Sequence, residues 1–149
     1  MKALVAVDGS EASENALAYA TDIVDAMDGS ITVVHAVDPT AYDEGGSEPT
    51  ASLWDEDQRL IVESVEDAEQ RGIDITEDAA ALAADLGHDV EVELLYGNPV
   101  RELSNYAEAD GFDTIFVGHR GRSERAGLLL GSVAKSLVER ATVPVTVVR

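Results

Sequence analysis

Gly118, Gly121, Gly131 and Ser132 form the pattern in this sequence best suited to holding an anion. They lie in Val117-Gly118-His119-Arg120-Gly121-Arg122-Ser123-Glu124-Arg125-Ala126-Gly127-Leu128-Leu129-Leu130-Gly131-Ser132-Val133, between a run that reads as a strand and one that reads as a helix. Gly118 and Gly121 carry no side chain, so the backbone there can approach a phosphate closely. Gly131 and Ser132 open the helix, where unpaired N–H groups and the helix dipole attract anions. The Ser132 hydroxyl can donate one more hydrogen bond. Arg120, Arg122 and Arg125 add positive charge suited to bidentate phosphate contacts. This basic cluster stands in a chain of thirty acids and ten bases, with a formal charge of −20. Charge alone leaves two readings open: a bound anion, or a solvated loop whose arginines make salt bridges.

Other chemistries lack their residues. There is no Gly-Lys-Ser/Thr for a P-loop, and the glycine spacing after Gly118 departs from the dinucleotide fingerprint. There is no Gly-x-Ser-x-Gly elbow for a nucleophilic serine. His35, His88 and His119 are scattered, which argues against a multi-histidine metal site. His35 sits in an apolar strand and reads as a hydrogen-bonded core residue, whereas His119 is placed either near a ligand or on the surface. No catalytic pair and no metal cluster is legible.

Stepping outward, the loop needs a scaffold to aim it. Short apolar runs rich in β-branched residues predict strands at 3–7, 31–37, 90–95, 114–117 and 143–148. Helical periodicity fills the gaps. Residues 11–27 put Ala16, Leu17, Ala20, Ile23, Val24 and Met27 on one face, with Ser10 as cap and Glu11 and Glu14 in the first turn. Residues 56–86 read as one long helix, weakened or kinked at Gly72. A third helix starts at Asn98-Pro99 and stops at Gly111. A fourth spans 132–140. The alternation βαβαβαβαβ predicts a mostly parallel sheet covered by helices on both faces. Val90-Glu91-Val92-Glu93-Leu94 alternates and so predicts an edge strand. Pro144 marks the last strand as an edge too. An apolar edge invites either a partner strand, which points to a homodimer through 143–148, or cover by a helix or loop of the same chain. Residues 39–55, with Gly45-Gly46 and several acids, read as an irregular surface loop beneath which Trp54 could pack.

A chain of 149 residues with 45% apolar content suits one globular domain, 1–149. No apolar run approaches the roughly 18 to 20 residues needed to span a bilayer. The strong acidity disfavours binding to nucleic acid or to anionic membranes. There are no cysteines, so no disulfide framework or thiolate metal site is available, and a cytoplasmic location is expected. The charge, with eight arginines against two lysines, suggests adaptation to a salt-rich cytosol where self-repulsion is screened.

The spacing Gly-x2-Gly-x9-Gly-Ser resembles the nucleotide-binding signature of the universal stress protein family. The likeness covers nearly the whole chain. Val5-Ala6-Val7-Asp8-Gly9-Ser10-Glu11 is similar to the family's first strand and turn, Val33-Val34-His35-Ala36-Val37 to its second strand, and Val143-Pro144-Val145-Thr146-Val147-Val148 to its last. The resemblance implies an open five-stranded parallel sheet in the order 3-2-1-4-5, a Rossmann-like arrangement, with dimerisation through the last strand. It also implies ATP, or ADP or AMP, in a cleft between the first and fourth strands, with Mg²⁺ accompanying the nucleotide. By position, Asp8 would contact the adenosine part beside Ala6 and Val7, and Ala36 and Val117 would line the adenine pocket. Gly118, Gly121, Gly131, Ser132 and Val133 would hold ribose and phosphates, with Arg120 among the loop's charges. Asp8 has a second reading as a cap of the first turn. The function implied is a stress-response regulator with little or no turnover. The alternative is a slow ATPase or a phosphoryl- or adenylyl-transfer enzyme in the same cleft.

Overall fold

The computed structural model describes residues 1–38, 54–121 and 130–149, with residues 54–64 described by their helical backbone alone. Five strands and four helices alternate: β1 Lys2–Ala6, α1 Glu11–Ala26, β2 Ser30–Val37, α2 Trp54–Asp85, β3 Glu91–Tyr96, α3 Pro99–Ala109, β4 Thr114–Gly118, α4 Ser132–Arg140 and β5 Val145–Val148. All neighbouring strands pair in parallel, in the order β3-β2-β1-β4-β5. The chain runs outward from β1 to β3, then crosses back so that β4 pairs with the other side of β1. The strand order therefore reverses between β1 and β4, where an open α/β sheet leaves a crevice at its carboxyl edge.

Period-two alternation divides the core between the two faces of the sheet. Ala3, Val5, Ile31, Val33 and Phe116 turn to one side and pack with Leu17, Ala20 and Val24 of α1 and with Ile75, Ala79 and Ala83 of α2. Leu4, Val34, Ile115 and Val117 turn to the other side, against Val100, Leu103 and Ala107 of α3 and Ala134 and Leu137 of α4. Burial on both faces explains why β4 is apolar at nearly every position. Both expected edges are edges. At β3, Glu91, Val92 and Glu93 are exposed.

The starts of α1 and α3 and the end of α3 are where the sequence placed them. The Ser10 side chain accepts from the Ser13 N–H at the start of α1, and Asn98 accepts from the Arg101 N–H at the start of α3, with Pro99 following. Gly111 takes the left-handed conformation just past α3, at φ 71°.

Three expectations change. The helix α2 begins at Trp54, so the irregular stretch ends before residue 55, and the rest of it, with the packing of Trp54, lies outside the described residues. Pro144 precedes β5 instead of entering it; its carbonyl accepts from Ile115 N–H, while its ring nitrogen has no hydrogen to donate to the ladder. Finally, α2 runs through Gly72 without a break. A Cβ there would lie 2.9 Å from the His35 ring and 3.2 Å from both Leu94 and Val37. Gly72 is thus the point of close approach between α2 and the sheet, not a weak point along the helix.

Candidate functional site

The crevice at the strand reversal is a cleft of about 460 Å³, with walls drawn from β1, β2, β4 and all four helices. The residues assigned by position to the nucleotide, together with Arg120, line its wall. Ala6, Val7 and Asp8 come from the end of β1, Ala36 from β2, and Val117 and Gly118 from β4. Arg120 and Gly121 follow on the loop, and Gly131, Ser132 and Val133 open α4 on the far side. Arg122 and Arg125 lie outside the described residues.

Backbone and side-chain bonds hold the floor of this cleft in place. The Val7 N–H donates to the Val34 carbonyl at 2.9 Å, carrying the β1–β2 ladder one residue past the strand. The Val7 carbonyl lies 2.7 Å from His35 Nδ1. A carbonyl only accepts, so Nδ1 carries the proton. His35 is hydrogen-bonded as expected, but it is half-buried at the cleft wall and not a core residue. Asp8 does cap the first turn: its Oδ1 accepts from the Ser10 N–H at 2.9 Å. The same residue lines the cleft, so its two readings are compatible.

Three helices, α1, α3 and α4, start at the cleft, and the first turns of α1 and α4 differ. The α1 start is filled by its own chain, with Ser10 bonded to the Ser13 N–H and with Glu11 and Glu14 in the first turn. The α4 start has Gly131 at the cap, no side-chain cap bond and no acid in its first turn. The Gly131 N–H is nevertheless engaged: it donates to the His119 carbonyl at 2.6 Å. This bond closes the neck of the glycine loop and leaves anion binding to the N–H groups of the turn beyond it.

Gly118 has a role the sequence did not disclose. A Cβ on it would lie 2.7 Å from the Ala12 backbone carbon and 2.9 Å from the Ala12 oxygen. The first turn of α1 rests directly on the end of β4, so this glycine serves helix packing, whatever it also gives a ligand. His119 is not in the cleft wall. It stands behind the wall, where its Nε2 accepts a 2.9 Å bond from Arg120 Nε.

Several lining residues escaped the sequence reading: Ser13 of α1, Asp38 after β2, Arg71 of α2 and Pro99 of α3. Arg71 left a signal, because it falls three residues after Ala68 and four before Ile75, on the stripe that faces the sheet. Asp38 follows β2 directly, at the carboxyl edge where ligands bind. Among the described residues, no group of three or more His, Asp or Glu could hold a metal ion. No helix there is long and apolar enough to cross a membrane.

A parallel 3-2-1-4-5 sheet with this cleft can be compared with known proteins. The family model described as "Universal stress protein family" matches residues 1–149. The chain belongs to the universal stress protein family. Universal stress protein YxiE of Bacillus subtilis is 30% identical over 148 residues, covering 99% of this chain and 98% of that protein. A universal stress protein crystallised in complex with cAMP is 28% identical, with a TM-score of 0.70 over 100% of this chain and 97% of that one. The fold extends to a universal stress protein of Archaeoglobus fulgidus solved in complex with dAMP, at 21% identity and a TM-score of 0.68, covering 100% of this chain and 98% of that one.

Proposed function

We propose that this universal stress protein binds an adenine nucleotide, ATP, in the cleft between β1 and β4, and that it acts in the cytoplasm as a nucleotide-dependent regulator with little or no turnover. The observation that carries this reading is the convergence of Asp8, the glycine loop and the uncapped start of α4 on one cleft. The relative crystallised with cAMP, at 28% identity, supports an adenine ring as the base. Ala6, Ala36 and Val117 supply an apolar wall for that ring. The α4 turn, with Ser132 and Val133, takes a phosphate through its N–H groups. Arg120 and Gly121 lie on the loop beside it and give further phosphates a place, which favours ATP over a monophosphate.

The direct test is to purify the protein in high salt, denature it and identify the released nucleotide. Binding of ATP, AMP and cAMP is then measured by calorimetry, and ATP turnover is followed. Tight ATP binding without multiple turnover is expected. No binding with added ATP and Mg²⁺ would refute the reading.

Slow hydrolysis is the second reading, favoured by a second carboxylate, Asp38, in the same cleft as Asp8. Mg²⁺ is commonly held by one or two carboxylates together with substrate phosphates, and these two acids fit that donor set. Multiple turnover, however slow, that is lost on Asp38→Asn would select this reading.

Two more expectations become proposals. The half-buried residues of β5, Val145 to Val148, fit a homodimer formed along that edge, which sedimentation would detect. The charge of −20 fits a salt-rich cytosol. Stability should then rise with KCl, and full stability at low ionic strength would remove that idea.

A further inference from the structure

We infer that His119 is a positioning residue for the cleft's arginine: by accepting a hydrogen bond from Arg120 Nε, it aims the terminal guanidinium nitrogens at the nucleotide's phosphates. This rests on the adenine-nucleotide reading of the cleft and adds to it the residue that sets the phosphate grip.

The backbone of His119 is held on both sides. Its N–H donates to the Val148 carbonyl of β5 at 2.7 Å, and its carbonyl accepts from Gly131 N–H at 2.6 Å. His119 is therefore the fixed neck from which the glycine loop departs. Its ring is half-buried, and Nδ1 is buried with no hydrogen-bond partner among the described residues. The polar work of the ring falls on Nε2, which lies 2.9 Å from Arg120 Nε.

The donor chemistry fixes the direction of that bond. A guanidinium has N–H donors and no acceptor, and it stays protonated in proteins. Nε2 must therefore be the bare nitrogen, with the ring proton on Nδ1.

The consequence for Arg120 is orientation. Arg120 belongs to the cleft wall, whereas His119 is not among its lining residues. A free arginine carries side-chain rotamer entropy, part of which is lost whenever it grips a ligand. Anchoring Nε to a fixed imidazole removes part of that loss before the ligand arrives. It also leaves the two terminal nitrogens as the donor edge, the geometry of an end-on bidentate phosphate contact. A lysine at this place would keep the charge but have neither the anchor nor the fork.

The test is calorimetry on the full chain with two probes, ATP and adenosine, using His119→Phe, His119→Gln, Arg120→Ala and the double variant His119→Phe/Arg120→Ala. His119→Phe should weaken ATP binding roughly tenfold and leave adenosine binding unchanged. His119→Gln, whose side-chain oxygen can still accept the bond, should recover most of the ATP affinity. The double variant should bind ATP no more weakly than Arg120→Ala alone, because the histidine acts only through the arginine. Equal losses for ATP and adenosine would overturn the proposal and leave His119 a structural residue. So would a full additional loss in the double variant. Should His119→Phe fail to fold, Arg120→Lys carries the test: ATP affinity should fall as far as in Arg120→Ala, and retained affinity overturns the proposal. If the unaltered protein binds neither ATP nor adenosine, the nucleotide reading itself fails and this one with it.

Discussion

The starts of α1 and α4 open onto the same cleft, yet they are built for different tasks. At α1, Ser10 occupies the Ser13 N–H, Asp8 occupies the Ser10 N–H, and Glu11 and Glu14 balance the helix dipole. An anion arriving there meets carboxylates. At α4 the cap is a glycine with no side-chain bond, and no acid stands in the first turn. The same dipole is left for something else to balance. The contrast shows how a protein carrying −20 can offer a phosphate a place: it withholds acids from one helix turn and satisfies the other internally.

The largest way to break this comparison is through Gly118, where the first turn of α1 rests on β4. Gly118→Ala would push a methyl group to within 2.7 Å of the Ala12 backbone carbon. Backbone cannot swing aside as a flexible side chain can, so a loss of about 1–3 kcal/mol or more is expected. Thermal denaturation would read it as a clear drop in Tm, and an unchanged Tm would mean that α1 docks less tightly than described. Gly121→Val should do the reverse, lowering ATP affinity by about tenfold or more while Tm stays near its original value. Calorimetry that found unchanged affinity would move the phosphates away from this loop. Next in size, Ser10→Ala removes the α1 cap and should cost about 1 kcal/mol of stability, measured in urea, with no change in ATP binding.

How far this contrast could be read beforehand depends on the range of the interactions involved. The caps of α1 and α3 were legible because Ser10, Asn98 and their partners lie within one turn of chain. Cover by helices on both faces of the sheet was legible from the alternation of strand-like and helix-like runs along the chain. The order of the strands was not, because pairing of β4 with β1 is a long-range choice that no local pattern encodes; it came from the family resemblance. Glycines were the hardest to interpret. In sequence Gly118 reads as an opening for a phosphate, yet its closest neighbour is Ala12 of α1, far away along the chain. Gly72 was read as a weakness in α2, when the space it leaves is filled by His35, Leu94 and Val37. A missing side chain records that something comes close, and only the fold shows what that is. His119 was equally opaque, since its part lies in a bond to its neighbour and not in the cleft wall.

The smallest change is the most diagnostic, because it separates stability from binding by sign. Ser132 is exposed and is the first residue of α4. Ser132→Glu would give α4 the acidic first turn that α1 already has. A carboxylate there should stabilise the helix by about 0.3–1 kcal/mol at low ionic strength. The same carboxylate would occupy the positive end that a phosphate needs, so ATP should bind more weakly, while adenosine, which has no phosphate, should be unaffected. Ser132→Ala separates the two contributions of the serine, since it removes the hydroxyl without adding charge. If the α4 turn is the phosphate's place, the glutamate variant must lose clearly more ATP affinity than the alanine variant, and the difference must shrink as salt is added. Equal losses would mean that the dipole of α4 is not what the nucleotide uses, and the contrast between the two helix starts would then concern folding alone.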